Sequence, residues 1–298
     1  MKWLLVIALL VPLVTMTAMP DGEVSARREG VRTVWAVGDI ADCTSAETQR
    51  GAEQTAALLA GTSGPILGLG DYAYPLGTET DFAECFDPVW GSLRSRIIPT
   101  AGNHDFGTGN SLAYHAYFGA ISGTEEVPWF TVDVGGWHIV SVDTNWCPND
   151  DGCAITSAQG AWFDQVLSEQ EGECTIVIGH HPRWSSGMQG NSTAVEPLWE
   201  MMARHGVELY LVGHDHDYER FAPMDRYGDV DRSGVREVVV GTGGLALRPF
   251  ETRVDGSQVR QRTSLGALRL TLRRHGYRAE FVPVAGETFT DRFSGRCH

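Results

Sequence analysis

Five short apolar runs in this sequence stop at a glycine and give the next position to an acid, an amide or a histidine. The junctions are Gly38-Asp39, Gly70-Asp71, Gly102-Asn103-His104-Asp105, Gly179-His180-His181 and Gly213-His214-Asp215-His216. Carboxylate and amide oxygens mixed with imidazole nitrogens suit zinc, iron or manganese better than calcium or magnesium, which favour all-oxygen shells. No cysteine stands at any of the five junctions, which argues against a structural zinc site. A single Gly-Asp carries little weight. Five such endings in one chain form a specific set.

The segments that must position these residues follow from their patterns. Residues 33–37, 65–69, 96–100, 175–178 and 208–212 are short, β-rich and apolar, as buried strands are. Helical spacing is predicted over 49–59, with Ala52, Ala56, Leu58 and Leu59 on one face, and again over 82–90 and 195–205. Ser157 is a good N-cap for a helix running to about 168. Segments 129–134 and 137–142 flank Gly135-Gly136, a hairpin signal, and further strands are predicted at 237–240, 268–272 and 277–282. No repeat or long linker divides the chain. One mixed α/β domain over residues 31–298, with two stacked sheets, is therefore expected. Ligands of open α/β sheets bind beyond the carboxyl ends of strands, and glycine lets the backbone turn sharply there. The five junctions should then meet on one rim.

Composition narrows the partners. A formal net charge of −15 argues against a nucleic-acid surface. It does not exclude a small phosphorylated substrate, because bound cations can invert a local field. At the N-terminus, Lys2 precedes an apolar run over 3–14, and small residues (Thr15, Thr17, Ala18) follow. Residues 1–20 thus read as an export signal, the run being too short for a stable membrane span. Six cysteines in an exported chain favour disulfides. Cys147 and Cys153, bracketing a short polar loop, are the expected pair, and the other four are left open. His115, His138, His205, His275 and His298 lie outside the junctions and read as ordinary surface or packing residues.

The five junctions, in this order, resemble the motifs of the calcineurin-like metallophosphoesterase superfamily, and most of all its purple-acid-phosphatase branch. Gly70-Asp71-Tyr72-Ala73-Tyr74 matches that branch's Gly-Asp-x-x-Tyr, and 213–220 is also similar. The resemblance implies a four-layer αββα sandwich of two mixed β-sheets flanked by helices. It implies a first metal held by Asp39, Asp71, Tyr74 and His216, and a second held by Asp71, Asn103, His180 and His214, with Asp71 bridging. The superfamily's Asp-x-His first motif here reads Asp39-Ile40-Ala41, so the usual histidine is missing and Tyr74 compensates. A phenolate favours Fe(III), with Zn, Fe or Mn(II) expected at the second position. The histidine usual beyond the fourth motif is also absent from 187–191, so phosphate recognition is expected from His181, Arg183 or Asn191.

The function implied is an exported dinuclear-metal phosphatase acting on phosphate monoesters, with a metal-bound hydroxide attacking phosphorus. His104 would protonate the leaving group and Asp105 would orient it. A phosphodiesterase or nucleotidase on the same metals is the alternative. A non-catalytic phosphate- or metal-binding protein is disfavoured because the ligand set is complete. Neither G-x-S-x-G nor H-E-x-x-H occurs, which sets aside a serine hydrolase and a zincin.

Overall fold

The computed structural model describes residues 31–149, 152–170 and 172–297; the expected export signal over 1–20 lies outside them. The larger of two sheets runs, in spatial order, β12 (Ser257–Gln261), β10 (Tyr218–Met224), β11 (Val235–Val240), β9 (Leu209–Val212), β8 (Thr175–Ile178), β7 (Trp137–Ser141) and β6 (Phe130–Val134). The other runs β15 (Arg292–Arg296), β14 (Gly276–Pro283), β13 (Gly266–Arg273), β1 (Arg32–Val37), β3 (Ile66–Leu69) and β5 (Ile97–Thr100). Both are mixed. β1, β3 and β5 are parallel, as are β7, β8, β9 and β11, and antiparallel strands complete each sheet.

Strand alternation separates the layers. Val34 and Ala36 of β1 face the core between the sheets, while Trp35 and Val37 face outward to the helices. In β9, Leu209 and Leu211 point inward, and Tyr210 and Val212 outward. With both faces covered, these strands read as continuous apolar runs. On the β1 side the covering helices are α1 (Ala46–Ala60), α3 (Asp87–Trp90) and α4 (Leu112–Phe118), while the short α2 (Glu79–Asp81) buries no residue. On the β9 side they are α5 (Ala158–Glu169) and α6 (Glu196–His205). This is the expected four-layer αββα sandwich.

Local chemistry sets the boundaries. Ser45 and Ser157 accept hydrogen bonds from Thr48 N–H and Gly160 N–H, capping α1 and α5. Gly206, at φ +70°, ends α6. Gly135 and Gly136, both at positive φ, make the two-residue turn joining Val134 to Trp137. Three strands of the two large sheets were not anticipated. β10 and β12 carry many polar residues, and β15 shows no fully buried position. The helix expected over 82–90 is a π-helical turn, Phe82–Phe86, followed by α3.

All six cysteines pair. Besides Cys147–Cys153, the bonds are Cys43–Cys85 and Cys174–Cys297. The last joins the entrance of β8 to the exit of β15, and so ties one sheet to the other. It closes a loop of 123 residues, against 6 for Cys147–Cys153. On chain-entropy grounds, Cys174→Ser with Cys297→Ser should cost about 5 kcal/mol, and loss of Cys147–Cys153 about 2 kcal/mol. Urea unfolding midpoints of the two double variants check the order.

Candidate metal centre

The parallel strands of both sheets end on a common edge, and the two sheets are stitched there. Gly38 N–H donates to Val240 O at 3.0 Å, and His214 N–H donates to the Asp39 carboxylate at 2.9 Å. Asp39, Asp71 and His214 follow β1, β3 and β9, and all three adopt left-handed backbone (φ 60°, 55° and 71°). Such a conformation costs a non-glycine residue about 1–3 kcal/mol and persists only where surroundings enforce it. Here they do: Asp39 N–H is held by Gly70 O, and Asp71 N–H by the Asp105 carboxylate. Gly241 passes so close that a Cβ would lie 2.8 Å from Asp39 Oδ2. No other residue fits.

The side chains converge on two adjoining sets of donors. In the first, Tyr74 OH donates to Asp71 Oδ2 at 2.7 Å and lies 3.1 Å from Asp39 Oδ1 and 3.2 Å from His216 Nε2. Pairing of β2 (Ala41–Asp42) with β4 (Ala73–Tyr74) brings Tyr74 beside the Asp39 turn. In the second set, His180 Nε2 lies 3.0 Å from Asn103 Oδ1, 3.2 Å from His214 Nδ1 and 3.3 Å from Asp71 Oδ2. Asp71 Oδ2 belongs to both. Ligand atoms of Asp39, Asp71 and His180 lie within 4.8 Å of one another, a spacing that can hold a metal ion.

Two of these rings are aimed by main-chain carbonyls. His180 Nδ1 donates to Leu69 O at 2.7 Å, and His216 Nδ1 to Ala246 O at 3.3 Å. Each turns its Nε2 into the cluster, as metal-binding histidines do.

Burial governs the ionisation. It pushes Asp39 up to about 8, opposed by His180. It acts in the same sense on Asp71, but the charge and hydrogen bond of His180 hold that carboxyl below the ordinary range. Burial also disfavours His180⁺, yet Asp71 and Asp39 lift it to about 9. His181 and His216 fall to about 3 and about 4, by burial first and then by neighbouring cations, His180 and Arg248 respectively. Buried carboxylates beside neutral imidazoles are a donor set that a cation stabilises. The residues fit a pair of metals of intermediate hardness.

The family description for calcineurin-like phosphoesterases matches residues 27–218. The chain belongs to that family. It is similar to mouse (Mus musculus) tartrate-resistant acid phosphatase type 5, 28% identical over 60% of this chain and 61% of the relative. Human (Homo sapiens) acid phosphatase type 7 is 28% identical over 62% of this chain and 49% of its own length. The chain thus spans about half to three fifths of these curated relatives. Among solved structures, a purple acid phosphatase from yellow lupin (Lupinus luteus) seeds has a TM-score of 0.78 at 18% identity, covering 91% of this chain and 54% of its own. The anchor in the inner membrane complex of Plasmodium has a TM-score of 0.66 at 17% identity, over 88% of both chains. At such identities the likeness concerns the fold, and fold alone assigns no activity.

Within this calcineurin-like domain the remaining expected site residues divide. His104 lies at the centre's edge, its ring 4.1 Å from that of Tyr74 and its Nδ1 donating to Pro75 O at 2.7 Å. His181 packs on the ring of His214 at 4.4 Å. Asp105 does not orient His104. Its buried carboxylate accepts the N–H groups of Asp71, Tyr72 and Gly102, because successive side chains of the tight turn His104–Phe106 point some 120° apart. Arg183 also points elsewhere: its guanidinium lies over Trp184 and pairs with Glu196 at 3.4 Å. Asn191 accepts Ser185 N–H and shapes the loop.

Thr144 and Asn145 carried no sequence signal, since β7 ends in Val142-Asp143-Thr144 without a glycine. Thr144 Oγ1 accepts His180 N–H and His181 N–H and bonds His181 Nδ1 at 2.8 Å. Asn145 Nδ2 donates to Ala101 O, next to the Asn103 turn. No helix among the described residues is long and apolar enough to cross a membrane.

The brace formed by Asp105 can be separated from the chemistry of its neighbour. Asp105→Ala would leave three buried N–H groups without their acceptor and should destabilise the protein by about 3 kcal/mol or more. His104→Ala, at the half-exposed rim, should cost under about 1 kcal/mol. Equal losses in urea unfolding would contradict this assignment.

Proposed function

We propose that the chain is an exported phosphatase that hydrolyses phosphate monoesters of small molecules at a two-metal centre. The observation that carries this reading is the position of Asp71 Oδ2, shared between the Tyr74 cluster and the His180 cluster. Asp39, Asp71, Tyr74 and His216 would hold Fe(III); Asp71, Asn103, His180 and His214 would hold Zn, Fe or Mn(II). When bound, such a pair supplies Lewis acidity toward phosphoryl oxygens and a nucleophile from water. Family membership, the acid phosphatase relatives and the neutral imidazoles support the assignment. Three disulfides support export, since an oxidising compartment maintains them.

The chain's own groups have distinct tasks. His104 is the proton donor to the leaving oxygen. Because Nδ1–H stays bonded to the Pro75 carbonyl, Nε2 carries the transferable proton, and the ring keeps its orientation after giving it up. Contact with the tilted Tyr74 ring helps fix the ring's orientation. His181 contributes a neutral donor to phosphate. The Thr144 hydroxyl already accepts two backbone N–H groups, so its own proton goes to His181 Nδ1, and Nε2 must bear the ring proton. Tyr74 supplies an oxygen flanked by two carboxylates, a setting suited to a hard trivalent ion.

Hydrolysis of p-nitrophenyl phosphate after loading with iron and then zinc or manganese tests the reading. Asn103→Ala should lower kcat by at least about a hundredfold. His104→Ala should lose about 10²–10⁴-fold with an alkyl phosphate but less with the nitrophenyl ester, whose phenolate leaves without a proton. A wild-type protein inactive on every ester and metal combination would sink the proposal. The iron-loaded protein should also show a visible phenolate-to-iron absorption band that Tyr74→Phe abolishes, and bis-p-nitrophenyl phosphate should be the poorer substrate.

A further inference from the structure

A cleft of about 470 Å³ opens beside the turn that carries His104. Its walls include Phe106, Asn110, Glu125, Asn145, Trp146 and Asn149. Phe106 sits two residues beyond His104 in the same tight turn, and its N–H donates to Asn103 O. Asn145 bonds the main chain at Ala101, on the opposite lip. Phe106 and Asn145 thus set the cleft alongside the turn that carries His104.

We propose that this cleft is a leaving-group subsite for a flat aromatic ring with polar edges, a nucleobase in chemical class, so that nucleoside monophosphates are preferred substrates. The proposal rests on the hydrolase reading above and specifies its substrate.

The lining carries the argument. Its volume falls in the range of small-molecule sites. Phe106 and Trp146 are half-buried rings, and Trp146 is fixed edge-on against Trp129 at 5.6 Å. Rings held this way offer stacking faces at little entropic cost. Asn145 spends its amide hydrogens on Ala101 O and Asp143 Oδ1 and turns only its oxygen to the cleft, while Asn110 and Asn149 add amide groups, polar edges that suit a base and not a plain hydrocarbon. The described residues that line the cleft include no Arg, Lys or His, and Glu125 stands among them. The group bound here is accordingly uncharged, and a second phosphate is disfavoured.

The wall is also built in advance. The Cys147–Cys153 disulfide closes the loop bearing Asn149 and Gly152, and Trp146 stands immediately before its first cysteine. Asn149 N–H donates to Trp146 O, and Gly152 N–H to Asn149 O. A Cβ on Gly152 would stand 1.8 Å from Trp146 O, so the loop path admits only glycine at that point.

The experiment compares AMP with ribose 5-phosphate, which carry the same ester and differ by the base. The metal-loaded full chain should favour AMP by about tenfold in kcat/KM, expressed in KM, as one stacked ring contributes. Trp146→Ala and Phe106→Ala should each bring the AMP to ribose 5-phosphate ratio toward one, while Trp146→Phe retains most of it. A ratio near one in the wild type, or variants that lower both substrates equally, would overturn the subsite. Saturation-transfer NMR on the adenine protons of AMP gives a readout independent of turnover. Base signals that depend on Trp146 in a protein hydrolysing no ester would uphold the subsite and remove the hydrolase reading. Their absence in a protein that hydrolyses ribose 5-phosphate would remove the subsite alone.

Discussion

The carboxylate of Asp71 is the constraint around which the molecule is arranged. One oxygen lies between the phenol of Tyr74 and the imidazole of His180, and the other accepts the N–H of His104. A carboxylate that is 1% exposed needs compensation from groups brought to it. Those groups come from both sheets: Tyr74 and His104 from turns after β3 and β5, His180 from the turn after β8. The two stacked sheets must align so that their parallel strands end at the same level, or the carboxylate is left buried without partners.

Holding that meeting point strains the chain, and the strain is shared. Asp39, Asp71 and His214 sit in backbone conformations that ordinary side chains avoid, yet each is fixed by hydrogen bonds crossing to another turn. The Asp39 carboxylate holds the His214 amide while its other oxygen faces Tyr74. Asp105 does for the β3 and β5 turns what Asp39 does for the seam: it gathers three amides and aims their neighbours. Buried acids next to the candidate ligands are therefore structural in part, and the strained turns pre-organise the donors in place of the solvent.

Much of this was legible in the sequence because fully covered parallel strands read as plain apolar runs, and because each junction announces itself by a glycine before a polar residue. The five donors that the resemblance placed at junction positions do come together, as do Tyr74 and His216. Two kinds of information were hidden. Main-chain partners such as Leu69 O, Pro75 O and Ala246 O leave no side-chain signature, although they set the tautomers of three histidines. Adjacency along the chain also misled. Asp105 follows His104, and Arg183 follows the His180-His181 pair, but a tight turn and a proline bend send those side chains to other neighbours. Strand β10 was missed for the same physical reason that makes it unusual: Glu219 is buried among the hydroxyls of Ser186 and Ser257, and Arg220 against Asp291.

The engagement of the arginines bears on how an acidic protein could receive an anion. Arg183 is paired with Glu196, Arg220 with Asp291, and Arg269 and Arg292 with Glu280 on an outer sheet face. These guanidinium groups are held in ion pairs of their own. On the proposed reading, attraction for a phosphate at the seam then falls to the metal cations, to Arg248 beside His216 and to neutral donors such as His181, whose own charge burial suppresses. A chain of net charge −15 would in that case bind phosphate much more tightly once its metals are in place. Metal loading and substrate affinity become one property of the site, both resting on the single carboxylate that the two clusters share.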